Sequence, residues 1–150
     1  MVTIRNAKFP GDLMEIYEIE QNAFENDGYS IYFITQALEF LSNSIFVAEE
    51  NKLLGYILGA LDQKDSNIGW FLNIAVMKGN QGKGIGYKLL EKLIDFFKKS
   101  KCKEVHLTVT PDNLGAIHLY EKFKFKKIKI IKDYFGKGKD RLLMIREFKD

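Results

Sequence analysis

Gly79, Gly82, Gly84 and Gly86 fall within eight residues of one another, in the run Asn73-Ile-Ala-Val-Met-Lys-Gly-Asn-Gln-Gly-Lys-Gly-Ile-Gly-Tyr-Lys-Leu-Leu90. An apolar strand-like stretch, a glycine-rich turn and a helical pattern follow one another directly. Successive backbone N–H groups at such a turn, continued by the unpaired N–H groups of a helix N-terminus, form a concave anion site, and glycine lets a ligand approach the main chain. The chemistry implied is the holding of phosphates. Spacing rejects two versions of it. A GxxxxGK[ST] loop would need Lys and then Ser or Thr after Gly84, where Ile85 and Gly86 stand. A GxGxxG dinucleotide turn fails because Gly82, Gly84 and Gly86 run GxGxG, with no Asp or Glu standing out on a strand about 20 residues later.

What remains is QxxGxG at Gln81, Gly84 and Gly86, directly after Leu72-Asn-Ile-Ala-Val76. This resembles the GNAT acetyltransferases, in which the pattern wraps the pyrophosphate of acetyl-CoA. By itself the pattern is equally open to a plain strand-to-helix turn. A second motif favours the family: Asn113-Leu-Gly-Ala-Ile-His-Leu-Tyr-Glu-Lys-Phe-Lys-Phe125 is similar to its NxxAxxLYExxGF segment. Asn113 is a good helix start after Pro111-Asp112, and Ala116, Ile117 and Tyr120 lie three and four apart on one face. The narrower likeness is to RimI-type protein N-terminal acetyltransferases, carried by Leu72–Val76, Leu119-Tyr-Glu121, Lys132-Asp-Tyr-Phe135 and Asp140-Arg-Leu-Leu-Met144.

The resemblance implies a set of roles. Gln81, Gly82, Lys83, Gly84, Ile85, Gly86 and Tyr87 would hold the cofactor's phosphates, the backbone of Ile74, Ala75 and Val76 would pair with the pantothenyl arm, and Asn113 would hydrogen-bond it. Tyr120 would be the general acid for the leaving sulfur, with an N–H near Val76 facing the oxyanion. Tyr29, in the Gly28-Tyr29 loop, and Tyr134 would border the acceptor. Phe135 stands where many relatives carry a second tyrosine.

Two positions depart from the pattern. The usual fifth-strand glutamate, five residues before Asn113, is Thr108, which is no base near neutral pH. His106 shares its strand face and is the candidate base, with ordinary packing as the competing reading. An α-amino group, with a pKa of about 7.7–8.0, is far more often neutral at pH 7 than a lysine at about 10.4, so a weak base favours protein N-termini as acceptors. Lys124 replaces the family glycine at a helix end, and a modified turn is expected there.

The elements that must position these residues follow from periodicity. Val2 and Ile4 begin a strand. Pro10-Gly11-Asp12 caps a helix reaching about Phe24, and Ser30 caps a second helix containing Ile34, Leu38 and Leu41. Residues 44–50 and 52–62 read as a hairpin about Asn51, and 68–77 continues the sheet. The helix from Gly84 carries Ile85, Leu89, Leu90, Leu93, Ile94 and Phe97 as a core stripe, and strands follow at 104–110, 126–131 and 141–148. The expected fold is α/β (α+β): a mixed sheet of about seven strands with the fourth and fifth splayed, as the resemblance implies, flanked by about four helices in a single domain, 1–150.

Composition narrows the function further. With 150 residues, one cysteine and no apolar run near 18 residues, the chain reads as a cytosolic globular protein without disulfides or a membrane partner. Cys102 between two lysines is either structural or a thiolate. The net charge of +3 does not by itself imply a nucleic-acid partner. Lys122, Lys124, Lys126, Lys127, Lys129 and Lys132 interleave with Phe123, Phe125, Ile128 and Ile130, as in a half-buried strand with a solvated lysine face. His106 and His118 lack partner ligands at useful spacing, so no metal is expected. The expected function is acetyl transfer from acetyl-CoA to an amine, foremost a protein or peptide N-terminus. The alternatives are a small amine, polyamine or lysine acceptor, for which Glu15, Glu18, Glu20, Glu25, Asp27 and Glu39 would supply an acidic groove, and a non-catalytic acyl-CoA-binding or RNA-associated module.

Overall fold

The structure, a computed structural model, describes residues 1–149. Its elements are β1 (Thr3–Asn6), α1 (Leu13–Phe24), α2 (Ile31–Phe40), β2 (Ile45–Glu50), β3 (Lys52–Leu61), β4 (Ile68–Val76), α3 (Ile85–Lys99), β5 (Glu104–Val109), α4 (Leu114–Lys122), β6 (Lys126–Ile131) and β7 (Arg141–Glu147), with short 3-10 turns at Glu25–Asp27 and Ser42–Ser44. The seven strands run in the order β1-β2-β3-β4-β5-β7-β6. The β4–β5 pair is parallel and its register covers only Ile68–Trp70 against Glu104–His106, so the ends of both strands lie outside it. This is the mixed, splayed sheet the sequence led us to expect.

Two compact units divide the chain, residues 1–60 with 73–96 and residues 61–72 with 97–150, of which the last is not described. In the first, β1, β2 and β3 form an antiparallel ladder, with the tight turn at Asn51 taking φ 66°. Ile16 and Ile19 of α1 and Ile34 and Leu38 of α2 pack with Val47, Tyr56, Leu58 and Ala75 in one apolar cluster. From α3, Leu89, Leu90 and Leu93 are fully buried, each such side chain being worth about 2 kcal/mol of hydrophobic stabilisation. Ser30 caps α2 by accepting from Phe33 N–H at 3.2 Å. Asp12 differs from expectation, because its carboxylate makes no cap bond. It accepts instead from Lys8 N–H at 2.7 Å and from both Arg5 Nη atoms at 2.8 and 3.1 Å, and Arg5 also reaches Glu49 at 3.0 Å.

In the second unit, antiparallel β5, β7 and β6 dominate. Phe97 lies flat on β4 at Gly69, where an added Cβ would come within 2.4 Å of the ring. Two expectations are corrected here. β6 is not half-buried: Lys126 to Ile130 are all exposed, because β6 is the edge strand and a register shift between Lys127 and Lys129 leaves Ile128 and Ile130 each 51% exposed. The turn after α4 is not modified either. Lys124 takes the left-handed conformation itself, φ 68°, and Phe125 N–H still closes onto Tyr120 O at 3.1 Å, at a backbone cost of about 1 kcal/mol.

Candidate active site

The glycine turn joins β4 to α3. Gly79, Gly82 and Gly84 have φ of 93°, 78° and 80°, a region L side chains rarely adopt, and a Cβ on any of them would meet nothing within 4 Å. The turn is therefore both glycine-dependent and open. The first helical bond runs from Lys88 N–H to Gly84 O at 3.1 Å, so helix geometry leaves the N–H groups of Ile85 and Gly86 without intrahelical acceptors. These donors fit a diphosphate. Gly86 needs no positive φ, and its Cβ would sit at an ordinary 3.7 Å from Ile74. Ile85 is buried, so its part is restricted to the main chain, whereas Tyr87 is 49% exposed. Gln81 bends back to donate from Nε2 to Val76 O at 3.2 Å, tying the turn to the end of β4. Of the three β4 positions, Ala75 is buried and Ile74 and Val76 are half-buried.

Tyr120, on α4, is 8% exposed and meets Phe71 and Phe125 edge-on, with ring centroids 5.3 and 6.2 Å away. Burial pushes its phenol up to about 12, and the Arg141 cation pulls the other way. Asn113 caps α4, its Oδ1 accepting from Ala116 N–H at 3.2 Å, which leaves the side-chain NH2 group as the part suited to a ligand. On β5, Glu104, His106 and Thr108 share the half-buried face, as alternation requires. His106 Nε2 lies 2.7 Å from Glu104 Oε1, and its ring meets Trp70 edge-on at 5.1 Å. Tyr134 is 43% exposed in the β6–β7 loop, beside Phe135 at 4.8 Å. Tyr29 belongs to the other unit, with its ring 4.5 Å from Phe33.

Residues 12–125 match the model of the Acetyltransferase (GNAT) family. The chain belongs to that family. An N-alpha-acetyltransferase of Saccharolobus solfataricus is 34% identical to this acetyltransferase over 96% of the chain and 92% of its own length. The crystal structure of the ribosomal-protein-S18-alanine N-acetyltransferase from Escherichia coli superimposes with a TM-score of 0.81 at 28% identity, covering 100% of this chain and 96% of its own. A spermine/spermidine N(1)-acetyltransferase of Bacillus subtilis is 32% identical but covers only 51% of this chain and 55% of itself. No helix among the described residues of the acetyltransferase is long and apolar enough to cross a membrane.

Two groups in the acetyltransferase escaped sequence reasoning. Arg141 reaches from β7 to donate from Nε to Thr108 Oγ1 at 3.2 Å and from Nη2 to Thr108 O at 2.9 Å, while its guanidinium stacks on Phe135 at 5.0 Å. A cation thus stands beside the position where the family pattern has a carboxylate. Its own segment, Asp140–Met144, was visible, but the reach depends on the β5–β7 pairing. The second group is Glu20, 1% exposed and so not part of any surface acidic groove. Its Oε1 accepts from Tyr56 Oη–H at 2.5 Å and Asn73 Nδ2 at 2.8 Å, and its Oε2 accepts from Tyr29 N–H at 2.8 Å. A buried carboxylate needs this many donors, and it fixes the Tyr29 loop to β3 and β4. Among the other acidic candidates, Glu15 accepts from Leu53 N–H at 3.0 Å, while Glu18, Glu25, Asp27 and Glu39 are exposed. Cys102 is buried and its thiol pushed up by desolvation, which fits packing rather than a thiolate.

Proposed function

We propose that this acetyltransferase transfers an acetyl group from acetyl-CoA directly to the α-amino group of protein or peptide N-termini, with residues 1–150 acting as one domain. The observation that carries the acceptor class is the extent of likeness: the N-alpha-acetyltransferase relative matches over 96% of the chain, the polyamine relative over 51%. The second reading, a polyamine acceptor, draws on that shorter match and on the exposed Glu18, Glu25, Asp27 and Glu39.

Acetyl-CoA supplies an activated thioester. The N–H groups of the Gly82–Gly86 turn, with Lys83, would hold its diphosphate, the main chain of Ile74–Val76 would align the arm, and the Asn113 side-chain NH2 would donate to it. Tyr120 keeps its proton throughout the neutral range. Burial holds the phenol above the range of a thiol, so full proton transfer to the leaving thiolate runs uphill. Tyr120 therefore serves the leaving sulfur as a hydrogen-bond donor, and the proton that ends on sulfur is the one the amine gives up. In the tautomer whose Nε2–H is donated to Glu104, Nδ1 of His106 would be the nitrogen that takes that proton, through water. Arg141, beside Thr108, disfavours a charged ammonium nearby and so lowers the demand on the base.

The test is thiol release from acetyl-CoA with one peptide in two forms. Release with the free N-terminus and none with the blocked one is expected. Equal release from both would remove the α-amine as acceptor.

A further inference from the structure

Residues 97–150 carry 15 Lys and Arg against 7 Asp and Glu, a net of +8, whereas residues 1–96 carry 8 against 13, a net of −5. The overall +3 conceals this separation. In the second unit the excess lines one open groove of about 1480 Å³, walled by the end of α3, the start of β5, the edge strand β6 and the end of β7. Seven lysines, among them Lys101, Lys103, Lys126 and Lys127, and Arg146 line it. Glu104, Glu121 and Glu147 share the lining, and Glu104 is already engaged by His106.

Arg146 marks the groove as more than a solvated lysine face. Its Nε is buried with no hydrogen-bond partner among the described residues, and desolvation pulls the guanidinium pKa down. An unpaired buried donor on a cation is costly, and an anion in the groove would offset that cost. The guanidinium lies 5.1 Å from the Phe148 ring, and Lys98 Nζ lies 5.7 Å from the same ring, so two cations are held about one aromatic platform. β6 adds its lysines on a strand exposed on both faces.

The size and the residue types identify the ligand class. The groove exceeds the roughly 300–1,000 Å³ of ordinary small-molecule pockets, so a single phosphate or mononucleotide leaves most of the cations unused. Seven of the eight cations are lysines, point charges that attract phosphates without reading base edges. We propose that this groove binds the phosphodiester backbone of a nucleic acid, without sequence preference.

Fluorescence anisotropy with labelled RNA, labelled DNA and a poly-glutamate peptide of equal length tests it at 50 and 200 mM salt. Four phosphate contacts on a single strand predict a loss of about 50-fold in affinity between those two salt concentrations. The Lys126→Gln/Lys127→Gln variant should cut that ratio to about sevenfold while acetylating a peptide at the normal rate. Lys101→Gln/Lys103→Gln, on the opposite wall, should act in the same way, and Lys52→Gln/Lys64→Gln should change nothing. Binding of either nucleic acid supports the proposal, and the two arms distinguish its source. No binding at 50 mM salt, equal binding of poly-glutamate, or an unchanged salt ratio in both groove variants would overturn it.

Discussion

At Tyr120 one phenol carries two consequences, because burial against Phe71 and Phe125 both positions the hydroxyl and holds its proton. Tyr120→Phe should lower kcat by about 100-fold while leaving acetyl-CoA affinity within about twofold, since the lost donor acts on the leaving sulfur and not on the phosphates. Steady-state rates and calorimetric titration separate the two, and unchanged turnover would remove Tyr120 from the mechanism. The pH profile follows from the direction of the shift. A folded pKa raised from 10 to about 12 means the protonated phenol is favoured by folding, an advantage intact below pH 10 and lost as pH climbs toward 12. So kcat/KM should rise as the acceptor amine deprotonates near pH 8 and then stay level to about pH 10. A fall centred below pH 9 would assign the donor to a different group.

The glycine turn between β4 and α3 is the element on which cofactor binding depends. Gly84→Asp would add a carboxylate where phosphate is expected and force φ of 80° on a side chain that resists it. Titration should then detect no acetyl-CoA binding, with the far-UV spectrum retained, and normal binding would displace the diphosphate from this turn. That turn was legible in the sequence because its chemistry is local: glycines, strand and helix are neighbours in the chain. The α3 stripe, the Ser30 cap and the limits of β6 were legible for the same reason. What escaped was set by pairing across the chain. Arg141 meets Thr108 only because β7 lies against β5, and β6 is exposed as an edge strand whose register against β7 shifts, so its strand-like alternation of Ile and Lys misled about burial. Asp12 stands at a helix start and reads as a cap, yet Arg5 and Lys8 claim its carboxylate. Lys124 shows the converse, a residue type unsuited to its turn that the surrounding backbone holds in the left-handed form.

Across the whole molecule, charge is divided unevenly along the chain. The first 96 residues, net −5, contain the glycine turn and the buried Glu20 carboxylate that fixes the Tyr29 loop. The remainder, net +8, contains Tyr120, the His106–Glu104 pair and the basic groove. The proposed transfer to an α-amine is tested at its acceptor. The deciding measurement is mass spectrometry of a single reaction in which acetyl-CoA is offered, at equal concentrations, a peptide with a free N-terminus and an internal lysine, its N-terminally blocked twin, and spermidine. Fragment ions should place the acetyl group on the α-amine of the free peptide, with the blocked peptide and spermidine unmodified. Acetyl-spermidine or acetyl-lysine as the main product would contradict the account.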